Sequence, residues 1–203
     1  MMLYDSPVAP NARRVRMFLA EKGLSVPSRR VDLARLEQRE AAFVALNPMQ
    51  RIPVLVLDDG TAISESIAIC RYFEETHPEP ALFGRDLMSR VMVEMWQRRA
   101  ELGLMASVQA VFRHTHPAMR EMESPQIPAL AEAQRPKALA LLGLFDAALA
   151  DRRFIAGEDF SVADVTLFVT IDFMRYARLA CPPDLTHLAR WRTDVAARPS
   201  AAA

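Results

Sequence analysis

The chain is poor in cysteine, and the two it has, Cys70 and Cys181, lie far apart and outside any Cys-x-x-Cys pattern. That pattern excludes a disulfide framework and argues against a dithiol redox pair. Charge of one sign is also missing: 25 lysines and arginines balance 25 aspartates and glutamates over 203 residues. Such a balance gives no support to a sequence-independent grip on nucleic acid or an anionic membrane surface. No apolar run approaches the roughly 20 residues that span a bilayer, and the start, Met1 to Ser6, has no basic segment followed by an apolar one. The expectation is a soluble cytoplasmic protein with neither nucleic acid nor membrane as a partner. The length suffices to bury a substantial core without disulfides or metals. Internal repeats and low-complexity segments are absent apart from the alanine tail.

What is present changes character near residues 76 to 86. Before that point, short β-type runs alternate with helical ones: Leu3-Tyr4, a helix from about Ala12 to Lys22, Arg30-Val31, a short helix from about Glu37 to Ala45, a hairpin, and a helix from Ser66. The order is β-α-β-α-β-β-α. Thr76-His77-Pro78-Glu79-Pro80 and Gly84 then read as a linker. All that follows is helical in period, with one long amphipathic stretch from Leu87 to His114. Shorter stripes follow at Ala138, Leu141, Leu142, Phe145 and Leu149, at Val165, Phe168, Val169 and Phe173, and at Leu188, Trp191 and Val195. The predicted organisation is an α/β domain over residues 1–76, a linker over 77–86 and an all-α domain over 87–203.

Residues 47 to 66 are the most informative segment. Pro53 opens the run Val54-Leu55-Val56-Leu57, and Asp58-Asp59-Gly60 turns it back onto Ala62-Ile63-Ser64, so the segment reads as a hairpin. A proline at the head of the first strand leaves Ile52 with unused backbone donors and acceptors at a sheet margin. Glu65-Ser66 precedes Ile67, Ile69, Cys70 and Phe73, which puts Ser66 in the first turn of a helix with its amide free. A carboxylate fits there. Taken one at a time, Pro53 also reads as an edge proline and Glu65-Ser66 as an ordinary helix start.

These residues resemble the cytosolic glutathione transferase family, and the resemblance runs nearly end to end. Leu3 to Arg16 is similar to the family's first strand, active-site loop and first helix. Asn47-Pro48 through Pro53 resembles its Asn-Pro-x-x-x-(Ile/Val)-Pro motif with a cis proline, Glu65-Ser66 its γ-glutamyl site, and Phe160-Ser161-Val162-Ala163-Asp164 its capping motif. The fold implied is a thioredoxin-like α/β domain (βαβαββα) followed by an all-helical domain. The activity implied is a glutathione transferase, in detoxification, with glutathione as co-substrate, no metal, and a homodimer as the assembly; the alternative is a non-catalytic glutathione-binding module or another glutathione-dependent enzyme, a dehalogenase, isomerase or peroxidase. Ile52, ahead of Pro53, is implied to pair with the cysteinyl backbone of glutathione. Ser66 and Glu65 are implied to hold the γ-glutamyl end, Gln38 or Arg39 the glycyl carboxylate, and Arg51 to add a positive group. Ser161-x-x-Asp164 is a capping box on either reading.

The chain departs from the family at the thiol. The loop position where many members carry serine or cysteine falls on Ala9 or Pro10, and neither side chain donates. Two polar candidates remain, Asn11 at the mouth of the first helix and Ser6 after the first strand. Some relatives with Pro-Asn here use the asparagine amide near sulfur, so Asn11 comes first and Ser6 second, in a serine- or asparagine-type loop. As plain structure, Asn11 is a helix cap and Ser6-Pro7 a turn. Tyr4 belongs to the strand. The resemblance implies a small apolar electrophile held by Val8 and Ala9 and by Met105, Val108 and Phe112 of the long helix. His114 and His116, two apart, do not share a helix face and predict no metal site. Arg13, Arg14 and Arg16 read as a solvated face with one arginine near glutathione.

Overall fold

In the computed structural model, which describes residues 1–203, the chain divides into two compact units. One comprises Met1–Ala81 with Pro199–Ala203, the other Leu82–Arg198.

The first unit is built on a four-stranded sheet in the order β2-β1-β3-β4. Strand β1 (Met2–Asp5) runs parallel to β2 (Ser28–Arg30) and antiparallel to β3 (Val54–Val56), which forms the expected hairpin with β4 (Ala62–Ser64). The parallel β1/β2 pair requires a crossover, and helix α1 (Pro10–Glu21) supplies it. Proline at its first position suits a helix start, and Ala12, Val15, Met17, Phe18 and Leu19 are its buried apolar residues. Helix α3 (Ser66–Thr76) packs against α1 and buries Ile69, Cys70 and Phe73. Each valine, methionine, phenylalanine, leucine or isoleucine so enclosed contributes about 1.5–3 kcal/mol.

The segment expected as one helix from Glu37 to Ala45 is instead broken into two pieces, with a further 3-10 turn ahead of it. Two 3-10 turns, Leu33–Arg35 and Glu37–Arg39, precede a single α-turn, α2 (Ala41–Val44). Leu36 adopts the left-handed conformation (φ 59°) and Glu40 an extended one (ψ 144°), so no continuous helix passes through either. Asp32 caps the first turn, its carboxylate accepting from the amides of Ala34 and Arg35.

Where α1 ends, Lys22 ties the unit together. Its ammonium meets Glu74 Oε2 at 2.6 Å and donates to the carbonyls of His77 at 2.8 Å and Pro80 at 2.6 Å. All three ammonium protons are used, as a buried charge requires.

The second unit is helical throughout. The stretch from Leu87 onward does not run as one regular helix. It comprises α4 (Leu87–Arg98), a π-helical segment Arg99–Met105, and α5 (Ala106–Thr115). The Ala106 amide reaches back five residues to the Glu101 carbonyl, the widened ring that defines a π turn. Helix α6 (Pro128–Ala148) buries Ala138, Leu142 and Phe145, with Leu149 just beyond its end. Helix α7 (Val162–Phe173) is buried on nearly every side, which makes it the centre of the unit. Helix α8 (Thr186–Ala196) buries Leu188, Trp191 and Val195.

The capping box at the head of α7 is present. Asp164 is fully enclosed and accepts from the Ser161 amide at 3.0 Å, the Ser161 hydroxyl at 2.9 Å, the Ile155 amide at 2.8 Å and the Trp191 indole at 2.9 Å. Burial pushes its carboxyl above the ordinary aspartate value, and those hydrogen bonds pull against it.

Candidate active site

The strand register gathers the site. Tyr4 stands opposite Val54, and Val54 opposite Ser64. Continued two residues past these pairs, the same register carries Ser6, Ile52 and Ser66 to one end of the sheet. Three loops therefore meet there: Ser6 to Asn11 after β1, Arg51 to Pro53 before β3, and Glu65-Ser66 after β4.

The Ile52-Pro53 peptide is cis, and Ile52 lies outside the strand ladder. Its N–H and C=O make no backbone hydrogen bond, while its side chain is buried with Ala12, Phe43 and Val54, and Ala9 packs on the same cluster. The side chain anchors the residue and the main chain stays open, the requirement for pairing with an extended peptide. Asn47, 2% exposed, shapes the loop ahead of it: its Nδ2 donates to the Arg51 carbonyl at 2.8 Å and its Oδ1 accepts from the Met49 amide at 3.0 Å.

At the third loop, Glu65 has φ 68°, an uncommon backbone for a residue with a Cβ, and its side chain is exposed. The first α3 bond runs from the Ile69 amide to the Glu65 carbonyl, leaving the amides of Ser66, Ile67 and Ala68 without a carbonyl partner. Ser66 is 5% exposed, and its hydroxyl accepts from Nη1 of Arg14 at 2.8 Å.

Arg14 corrects the expectation of a solvated arginine face on α1, because it is 0% exposed. Its neighbours are engaged too: Arg16 pairs with Asp5 at 2.7 Å and Arg13 donates to the Ala201 carbonyl at 2.8 Å. Nothing local in the sequence marks Arg14 as buried; its partner Ser66 lies 52 residues away.

The first loop presents the end of α1. Ala9 is the cap residue without a side-chain cap, and its amide donates to the Ser6 carbonyl at 3.1 Å. Asn11 is the second helical residue, so its side chain is not the cap. The amides of Asn11 and Ala12 have no carbonyl partner, and Asn11 Oδ1 is buried without a hydrogen bond. Ser6 is 3% exposed. Val8 is exposed at the loop's tip. Tyr4 sits in β1 with its ring against Phe43 at 6.0 Å.

The remaining candidates are placed as follows. Gln38 is buried in the second 3-10 turn, and Arg39 and Arg51 are exposed. Met105, at the end of the π segment, and Val108 are enclosed, whereas Phe112 is half-buried and packs its ring against Phe173 at 4.9 Å and His116 at 4.7 Å. His114 and His116 do separate work: His114 Nδ1 accepts from the Ile127 amide and His116 Nδ1 from the Ala118 amide.

Comparison with known proteins gives the family. The sequence model of the glutathione S-transferase N-terminal domain matches residues 8–76, and that of the C-terminal domain matches residues 105–199. Glutathione S-transferase 2 of Saccharomyces cerevisiae is 36% identical over 203 residues, covering 98% of this chain and 87% of that protein. Among solved structures, a glutathione S-transferase domain-containing protein of Marinobacter aquaeolei superposes with a TM-score of 0.95 at 38% identity, covering 98% of this chain and 99% of its own. Gtt2 of Saccharomyces cerevisiae does so with a TM-score of 0.94 at 36% identity, covering 98% of each chain. The chain belongs to the glutathione S-transferase family. No helix in it is long and apolar enough to cross a membrane.

Proposed function

We propose that the protein joins the thiol of glutathione to a small apolar electrophile. One observation carries the reading: an open main chain at Ile52 and the unpaired helix amides at Ser66 lie at one end of the same sheet. The first pairs with the cysteinyl backbone, and the second takes the γ-glutamyl carboxylate, with Glu65 accepting from the ammonium. Gln38 or Arg39 takes the glycyl carboxylate, and Arg51 adds positive charge.

The thiol must ionise. A free thiol has pKa about 8.5, and lowering it by about two units requires about 2.7 kcal/mol of preference for the anion. One hydrogen bond to a charged group supplies about 1.5–3 kcal/mol, and a helix N-terminus about 0.3–1. We assign the bond to Asn11 Nδ2, whose other amide atom is buried without a partner, and the helix contribution to the unpaired amides of Asn11 and Ala12. Ser6 is the second choice. The thiol proton leaves to solvent, the sulfur pair forms the new C–S bond, and with an aryl halide the halide departs with its electrons. Val8 and Ala9 of the first loop are assigned to the electrophile.

The assembly we propose is a homodimer working in the cytoplasm, with detoxification as the role. Leu87, Met88 and Val91, 76%, 63% and 50% exposed, put an apolar stripe on α4 that a second copy would cover. Calorimetric titration with millimolar glutathione, followed by turnover of an aryl halide, tests the function. Saturable binding with turnover supports it. Binding without turnover of any aryl halide, isothiocyanate or hydroperoxide overturns catalysis, and no binding overturns the whole reading.

A further inference from the structure

We propose that Arg14 is a positioning residue that makes Ser66 an obligatory donor to an anion, and so tunes the site to the charged γ-glutamyl α-carboxylate. The inference rests on the glutathione reading above.

A serine hydroxyl has one proton to give and lone pairs that accept. A guanidinium only donates. Because Arg14 Nη1 lies 2.8 Å from Ser66 Oγ, the hydroxyl accepts there and its own proton must point away from the arginine. Ser66 is the first residue of the eleven-residue α3, beside three amides without carbonyl partners, so that proton joins a set composed only of donors. A neutral amide in the ligand would bring its own N–H groups against such a set, whereas a carboxylate brings only acceptors.

Burial strengthens the effect. Arg14 is 0% exposed and Ser66 is 5% exposed, so solvent screens the bond poorly, and a donor already polarised by a cation gives a stronger second bond. The guanidinium also sets positive charge behind the positive end of the α3 dipole. Two features of unrelated origin thus favour the same ligand charge.

The test compares glutathione with the analogue in which the γ-glutamyl α-carboxylate is a carboxamide. Both are titrated calorimetrically into wild type, Arg14→Met, Ser66→Ala and the double variant, with folding checked by circular dichroism. Arg14→Met should weaken glutathione about ten- to a hundredfold, the range for a lost charge-assisted bond, and change the carboxamide less than about threefold. In the Ser66→Ala background the same substitution should change glutathione affinity less than about threefold. Equal weakening of both ligands, or additive effects in the double variant, would overturn the proposal, because a merely structural arginine predicts those outcomes. Should Arg14→Met not fold, Arg14→Gln, which keeps polar bulk without the charge, decides: an unchanged ratio of the two affinities overturns the proposal, and a reduced ratio supports it. Wild type that binds neither ligand would instead remove the glutathione reading itself.

Discussion

The indole of Trp191 donates to Asp164 Oδ1 at 2.9 Å, which fastens α8 to the head of α7. Asp164 also accepts from Ile155 and twice from Ser161. Asp164→Ala would strand these buried donors and should destabilise the protein by about 3–5 kcal/mol, given about 1–3 per unsatisfied group. Trp191→Phe keeps most of the packing and should cost about 1–2. Urea denaturation measures both, and a loss below about 1 kcal/mol for Asp164→Ala would refute the assignment. Activity per folded molecule should remain.

Asn11→Ala should raise the pKa of bound glutathione by about one unit or more, in proportion to the hydrogen bond removed. Ultraviolet thiolate absorbance across a pH series reads it directly. An unchanged value removes Asn11 from the mechanism and passes the role to the loop amides.

Breaking the Lys22 to Glu74 pair from one side should be worse than breaking it from both. Lys22→Met leaves a largely buried carboxylate without its ammonium and should cost about 3–5 kcal/mol, whereas Lys22→Met with Glu74→Leu should recover much of the loss. A double variant no more stable than the single one would show that the bonds to the His77 and Pro80 carbonyls carry the stabilisation.

Cys181 offers a pH readout. Burial, and then Asp146, push its thiol above the ordinary value, and Arg192 pulls it down. A raised value means less thiolate near neutrality. Alkylation by iodoacetamide should therefore be slower than for an exposed thiol at pH 7 and should keep rising at pH values where that thiol has levelled off. Arg192→Gln should slow it further. Cys70, 0% exposed, should stay unmodified while the chain is folded. Reaction at the rate of an exposed thiol would contradict the direction of the shift.

Light scattering tests the assembly. Wild type should weigh twice one chain, and Val91→Glu with Leu87→Glu should weigh one, because two charges placed in an apolar contact lose hydration without gaining partners. A monomeric wild type would end the dimer proposal.

Much of this was written locally in the sequence. The hairpin is announced by Pro53, the apolar run Val54 to Leu57 and Asp58-Asp59-Gly60, and the head of α7 by Ser161-x-x-Asp164, since both motifs act within a few residues. The π segment is not legible: Arg99 to Met105 has the same apolar spacing as the turns around it, and its packing against α6 and α7 joins residues far apart in the chain. Gly103 marks one such approach, with the Leu141 side chain 3.4 Å from where a Cβ would stand. The broken α2 segment misled in the opposite way, because Leu36 in the left-handed region violates its own preference. Arg14 was hidden for a different reason. An arginine on an amphipathic helix reads as solvated unless its distant partner is known, and that partner, Ser66, arrives only after the β3–β4 hairpin.

The last five residues, Pro199 to Ala203, belong with the sheet at the other end of the sequence, held by Arg13 to the Ala201 carbonyl and by the Ser200 hydroxyl to Glu21. During synthesis the first 81 residues therefore emerge without their final piece, which the ribosome releases only after every helix of the second unit. The first unit is therefore completed only after the second has been made, and bulk inserted beside Pro199 to Ala203 would press on α1, the helix that bears Asn11 and Arg14.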